Sequence, residues 1–220
     1  DIDFYGISGD GTTLLHSDAG NNKVNMAGVL DITNNTDASD GTGDTGALRV
    51  EGGASINGIS YFGSDLDVGG TYTNDTQPAF LAYKNSTQSN IAIDSNVTIT
   101  FNTEVFDNTN NFSSNVFTAP VTGKYLLGFH LRLQSIDISA SRYFANIVTS
   151  NRSYITDIFT SDTNAFDADL SYWSVGGTVV ADMDTMDTAY ITLHQDGGTD
   201  QTDIYGTTSP QSRFFGYLLG

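Results

Sequence analysis

Phe117-Thr118-Ala119-Pro120-Val121-Thr122-Gly123-Lys124-Tyr125-Leu126-Leu127 is the stretch that decides the fold. A short strand runs into a Pro/Gly corner, and a long alternating strand follows it. Along that strand Tyr125, Leu127, Phe129, Leu131 and Leu133 share one face, with Leu126, Gly128, His130 and Arg132 on the other. Further strand candidates are Ala79–Tyr83, Val97–Phe101, Tyr143–Thr149, Tyr154–Thr160, Tyr172–Ala181, Thr188–His194 and Arg213–Leu219, with turn-rich segments between them at sandwich-like intervals. No window sustains apolar spacing at i, i+3, i+4, i+7. Of the 26 acidic residues 24 are Asp, a turn and cap former, and only Glu51 and Glu104 are Glu. The chain reads as all-β.

Together with Phe101-Asn102-Thr103-Glu104 upstream and Ser212-Arg213-Phe214-Phe215-Gly216-Tyr217-Leu218-Leu219 at the end, the opening stretch resembles the complement one-q globular head. That family is a ten-stranded jelly-roll sandwich, related to tumour necrosis factor, that works as a homotrimer and binds rather than catalyses. The resemblance runs from about Pro78 to Gly220. Pro78-Ala79-Phe80 matches the opening strand, Phe112 to Tyr125 the central signature and Ser212 to Leu219 the closing strand. One departure is Met186-Asp187, where the family often has Gly-Asp; the strand Ala189–Leu193 still follows. The resemblance implies that the opening, central and closing strands share a sheet facing the threefold axis, with outward side chains buried only in the trimer. On that basis Phe80, Leu126, His130, Phe214 and Tyr217 are expected at the trimer interface. An ordinary two-sided core is the alternative, and His130 reads equally as a satisfied structural histidine.

Before about residue 75 the composition is small, polar and glycine-rich, and short phrases recur: Gly28-Val29-Leu30-Asp31-Ile32, Gly46-Ala47-Leu48-Arg49-Val50 and Asp65-Leu66-Asp67-Val68-Gly69-Gly70. Leu30, Leu48 and Leu66 are 18 residues apart, each followed two positions on by Ile32, Val50 or Val68. Each phrase predicts a three- or four-residue strand with one apolar face, which needs neighbours from the same chain or from partners. The phrase Thr45 to Ile56 is similar to shaft segments of bacteriophage tail fibres, a resemblance covering roughly residues 24–70. In those shafts three chains wrap or stack so that each supplies strands to a shared core. The expected organisation is a repetitive β-shaft over 1–76 and a jelly-roll head over 77–220.

The net charge of −18 argues against a nucleic-acid backbone as partner and against an anionic membrane. A trimer would triple that charge, which suits a salty habitat, where the Debye length falls to about 3 Å near 1 M, or divalent cations held between Asp-rich loops. The plain alternative is that acidity maintains solubility. Structural calcium is the one non-protein group this pattern suggests; no other cofactor is expected. Cysteine is absent, which removes disulfides and Cys-based metal or redox chemistry and leans towards a microbial or viral source. No run approaches 18 apolar residues, so no membrane insertion by a helix is expected. The chain starts at Asp1 rather than Met and shows no leader, which reads as a fragment or processed form of a longer protein.

Other motifs carry little. Gly41-Thr42-Gly43-Asp44-Thr45-Gly46 fits GxGxxG but precedes no helix, and Asp44 would repel a phosphate. Asp37 to Asp44 lacks the terminal Glu of a hand-type calcium loop. Six glycosylation sequons, at Asn34, Asn74, Asn85, Asn96, Asn111 and Asn151, are what chance gives in a chain so rich in Asn, Ser and Thr. His16, His130 and His194 have no metal-ligand spacing, and no nucleophile elbow is present. No catalytic residue is assigned.

If a stalk enters at the base, the loops Gln134–Ser141, Asp162–Ser171 and Gln195–Gln211 lie at the far end. They carry Asp137, Asp162, Asp167, Asp169, Asp196, Asp200 and Asp203, with Phe166 and Tyr205. Carboxylates grip sugar hydroxyls or calcium and an aromatic stacks on a sugar ring, so these are the candidate receptor-binding residues; Asp as a mere turn former is the alternative. Three readings follow. The first is a viral fibre tip, joined to the rest of the fibre or virion, whose trimeric head binds a host-cell glycan or protein receptor. The second is a secreted bacterial adhesin or carbohydrate-binding module at the cell surface. The third is a polysaccharide-degrading tailspike, disfavoured because such enzymes devote several hundred residues to a long β-helix.

Overall fold

Strand-forming residues, turn residues and the absence of helical periodicity give what the composition implies: among the described residues there are strands and no helices. The structure is a computed structural model, and it describes residues 4–7, 9, 13–18, 23–26, 30–33, 48, 50, 53–160 and 166–219. The chain divides into two units, 1–72 and 73–220. No helix of the described residues is long and apolar enough to cross a membrane.

In the first unit β1 (Phe4–Ile7), β2 (Thr13–Asp18) and β3 (Lys23–Met26) form a three-stranded antiparallel meander. The sequence reading had not placed these strands. The recurring phrases carry no strand among their described residues: residues 30–33 and 65–70 make no ladder within the chain, and residues 28–29, 46–47 and 49 lie outside the described residues. The apolar pairs Leu30/Ile32, Leu48/Val50 and Leu66/Val68 all stand exposed. A strand of three or four residues needs a neighbour to hydrogen-bond with, and none is seen among the described residues.

The second unit is a sandwich of two six-stranded sheets. Its strands are β4 (Ala79–Tyr83), β5 (Val97–Thr98), β6 (Thr103–Asp107), β7 (Phe112–Ser113), β8 (Val116–Thr118), β9 (Gly123–Ile136), β10 (Arg142–Thr149), β11 (Ser153–Thr160), β12 (Leu170–Met183), β13 (Thr188–Asp196), β14 (Asp203–Ile204) and β15 (Arg213–Leu218). One sheet runs β12-β9-β15-β4-β6, with β14 paired to β9; the other runs β11-β10-β13-β8-β7, with β5 paired to β13. Twelve strands replace the expected ten because pairings as short as the two-residue β5 and β14 count as ladders. The opening, central and closing strands β4, β9 and β15 do share one sheet, with β15 between the other two.

Strand β9 fixes the inside of the sandwich. Tyr125, Leu127, Phe129, Leu131 and Leu133 are all buried, and cross-strand partners share their face. Phe214 therefore follows Phe129 inward, and Phe80 follows Gly216 and Leu127. Phe80 stacks on Phe112 at 5.0 Å and on Phe117 at 4.7 Å, and meets Phe214 edge-on at 4.9 Å. Each such ring contributes about 1.5–3 kcal/mol by leaving water, and the ring pairs add to it. The corner after β8 is tied from below by the Tyr125 hydroxyl, which donates to the Val121 carbonyl at 2.8 Å. The predicted strand 97–101 shortens to β5: Ile99 and Phe101 are buried as alternation predicts, but the Thr100 and Phe101 N–H groups donate to the Gln88 and Asn115 side chains instead of to a ladder.

Candidate functional site

Two surfaces of the second unit stand apart from ordinary solvated sheet and loop: the outer face of the β12-β9-β15-β4-β6 sheet, and the loop-bearing end of the sandwich.

Register builds the sheet face. Val180, Leu126, Tyr217 and Ala79 lie opposite one another across four strands, and the next row is Thr178, Gly128, Phe215, Leu81 and Phe106. All point away from the core. Val180 is 54 % exposed, Phe106 45 % and Tyr217 42 %. Leu81, Phe106, Phe215 and Tyr217 line a shallow apolar depression of about 500 Å³. Gly128 lets Phe215 lie close here: a Cβ at that position would stand 2.4 Å from the ring, which would have to move.

The five residues expected at the trimer interface therefore separate. Leu126, His130 and Tyr217 lie on the outer face. Phe80 and Phe214 do not: they are 1 % and 0 % exposed in the single chain, packed between the sheets. Each strand has apolar residues on both faces, and these two have core parity. His130 is held by a 2.7 Å hydrogen bond between Nδ1 and the Gln211 carbonyl. Val180, Leu81, Phe106 and Phe215 share that outer face without having been expected there, although the parity of Phe215 with Tyr217 in β15 is legible in the sequence.

At the end of the sandwich remote from Pro78, Asn90, Ser135, Asp169, Leu170, Ser171, Thr199, Asp200 and Gln201 line an open cleft of about 600 Å³. Of the candidate receptor-binding residues, Asp169 and Asp200 belong to it. Asp169 Oδ1 also accepts the Ile138 N–H at 3.0 Å. Asp203 Oδ1 accepts the Asn90 N–H at 2.8 Å, so this carboxylate braces the rim. Asp167 and Asp196 are exposed, and Phe166 meets Trp173 edge-on at 5.3 Å. Asp162 lies outside the described residues.

Asp137 is a correction. It is 2 % exposed and its carboxylate is fully engaged. Oδ1 accepts the Ser139 N–H at 2.7 Å and hydroxyl at 2.6 Å; Oδ2 accepts the Thr199 N–H at 2.6 Å and the Asp200 N–H at 2.9 Å. Burial pushes its pKa up, but the hydrogen bonds from Asp200, Ser139 and Thr199 outweigh burial and hold it below the ordinary carboxylate value. A carboxylate whose two oxygens each already accept two hydrogen bonds grips no ligand; it pins the loop that forms the cleft wall.

Tyr205 acquires partners that the sequence did not reveal. Its ring meets Tyr172 edge-on at 5.6 Å, and the Arg132 guanidinium lies over both, 4.1 Å from the Tyr172 centroid and 5.0 Å from the Tyr205 centroid. Arg132 also donates to Gln211 Oε1. The cation holds the two rings on the outer face of β9, so Tyr205 is a positioned ring rather than a free platform. Among the described residues no arrangement of nucleophile, base and orienting partner is seen.

A sequence model of the C1q domain matches residues 79–219. Solved structures of similar fold include the globular domain of zebrafish complement 1qA protein, 22 % identical, covering 66 % of this chain and 98 % of that one with a TM-score of 0.46. Another is murine APRIL, 9 % identical, covering 65 % and 99 % with a TM-score of 0.44. No curated protein matches the sequence. C1q/TNF-like domains form homotrimers and are typically non-enzymatic binding domains. The family match spans more than half of the chain and coincides with the sandwich: the chain belongs to the C1q domain family.

Proposed function

We propose that this chain is a viral fibre tip of bacteriophage type: a trimeric receptor-binding head, preceded by a glycine-rich shaft, that attaches a virion to a glycan or protein on the host-cell surface. The observation that carries this reading is the apolar outer face of the β12-β9-β15-β4-β6 sheet. Leu126, Val180, Tyr217, Phe215, Leu81 and Phe106 form a contiguous patch of the kind that soluble monomers rarely leave in water. Two further copies of the chain are its natural cover, as in the family's trimers. The exposed Leu/Ile/Val pairs before residue 70 ask for partner chains in the same way, which is what a shaft wound from three chains supplies. With that face covered, the cleft near Asp169 and Asp200 stays open for a receptor, and three copies on one rigid head gain avidity without any new contact.

Light scattering on a sizing column tests the assembly, with and without a calcium chelator. The expected mass is three times the 23.5 kDa of one chain, and dissociation on chelation would identify a structural cation. The Leu126→Asp variant is expected to stay monomeric, because assembly would bring three carboxylates together in a dry interface. A wild-type monomer would overturn the fibre reading in favour of an isolated carbohydrate-binding module or adhesin. The receptor itself is sought by screening the intact trimer on host-surface glycans. Release of reducing ends from host polysaccharide would instead favour a degrading tailspike.

A further inference from the structure

We propose that Asp94, His194 and Asp196 form a site for a zinc-type divalent transition-metal ion, on the outer face of the sheet opposite the apolar face. Their donor atoms all lie within 4.8 Å of one another. They come from two segments brought together by backbone pairing: Asp94 N–H donates to the Gln195 carbonyl at 2.8 Å, which sets the turn before β5 against the end of β13. Within β13 the inward residue is Gln195, so His194 and Asp196 project to the same outer side.

The imidazole is prepared in a way that turn-forming carboxylates alone are not. Its ring stacks on Phe144, its cross-strand partner, with centroids 4.6 Å apart and planes 11° from parallel. Nδ1 lies 3.2 Å from Asn96 Oδ1, and in the tautomer that makes this bond Nδ1–H donates to the amide oxygen. Nε2 then keeps its lone pair. An oriented ring with one nitrogen held by an outer acceptor is the arrangement that metal-bound histidines use. Arg142, opposite Asp196 in the ladder, lies over Phe144 at 4.5 Å and is paired with Asp157 at 2.5 Å.

The donor set selects the ion. One imidazole with two carboxylates suits zinc, which in open sites takes three protein ligands and completes its shell with water; calcium prefers six to eight oxygens. Ligands at about 2.0 Å in a tetrahedron stand about 3.3 Å apart, so donors within 4.8 Å of one another must close by at most about 1.5 Å. Asp94 and Asp196 are exposed; Asp94 Oδ1 accepts the Gly197 N–H at 2.8 Å, which leaves its Oδ2 to turn towards an ion, and the ring is already set.

Calorimetric titration of the tag-free full chain with zinc chloride at pH 7 tests the site. The expected result is one zinc per chain, weakened at least tenfold in His194→Ala and in Asp196→Asn and about tenfold in Asn96→Ala, with His130→Ala unchanged. A zinc-dependent shift of the His194 imidazole resonances should accompany it. Should His194→Ala fail to fold, Asp94→Asn, on an exposed turn, carries the same expectation. Absence of saturable binding would overturn the proposal. So would binding indifferent to His194→Ala, or calcium bound as tightly as zinc, which would reveal only diffuse attraction to acidic loops.

Discussion

Phe215 lies directly over Gly128, so close that a Cβ at position 128 would fall 2.4 Å from the ring. The glycine lets one aromatic of β15 lie flat across β9 and makes the outer sheet face smooth enough for a second molecule to cover. Gly128→Val should force Phe215 outward without touching the core, because both lie on the outer face. The expected outcome is a folded sandwich whose assembly is weakened at least tenfold, checked by sedimentation across a concentration series. An unchanged assembly constant would show that the β9–β15 face is not where copies meet.

The parity of β4 and β15 makes a second, opposite pair of predictions. Phe214→Ala empties space shared with Phe80, Phe101 and Phe112 and should cost about 3–5 kcal/mol of folding stability. Tyr217→Asp, three residues away and 42 % exposed, should cost less than about 1 kcal/mol in the isolated sandwich yet prevent assembly. Urea denaturation of dilute protein, set beside its native mass, separates the two effects.

Those same residues show what the sequence could reveal and what it could not. The alternation of β9 predicted the buried side of the long strand correctly, because one face is uniformly large and apolar while the other mixes Gly, His and Arg. In β4 and β15 both faces are apolar. Alternation then says which residues go together but not which set goes inside; that is settled only by the register Phe214 opposite Phe129 and Gly216 opposite Leu127. At the loop end the Asp-rich turns predict exposed carboxylates; Asp169 and Asp200 are exposed, whereas Asp137 is buried. Its Ser139 partner is local, a legible Asp-x-Ser turn, yet the Thr199 and Asp200 donors arrive from some sixty residues away. Arg132, between Tyr172 and Tyr205, was invisible for the same reason.

Asp137→Asn should act on stability rather than on recognition. The amide retains the shape but offers a single acceptor atom to donors that converge on both carboxylate oxygens, so a loss of about 2–3 kcal/mol is expected by chemical denaturation. The pH dependence has a definite sign. Because its folded pKa is depressed, the contribution is present above the ordinary carboxylate value of 3.8 and is lost as pH falls through the lower folded value. Stability measured from pH 6 down to pH 2 should fall less steeply in the variant than in the wild type.

Lys84 supplies the alkaline counterpart. Its side chain is buried, with Nζ donating to the Thr100 carbonyl at 2.9 Å and to its hydroxyl at 2.5 Å, and burial lowers its pKa to about 8. In the unfolded chain it titrates near 10.5, so between these values the unfolded state binds more protons and folding stability rises with pH. The increment is fully present above 10.5 and lost as pH falls through 8. From pH 7.5 to 9.5 linkage gives a gain of about 2 kcal/mol. Tyr143 and Tyr125 oppose it at higher pH. Burial raises both hydroxyls above the ordinary value of 10.0, so their contribution is present below that pH and falls away above it. Urea denaturation at half-unit steps should therefore show stability climbing from pH 7.5, then levelling or turning down beyond about 10. Lys84→Met should remove the climb and leave the downturn. A climb that survives in Lys84→Met would assign the buried proton to some other group.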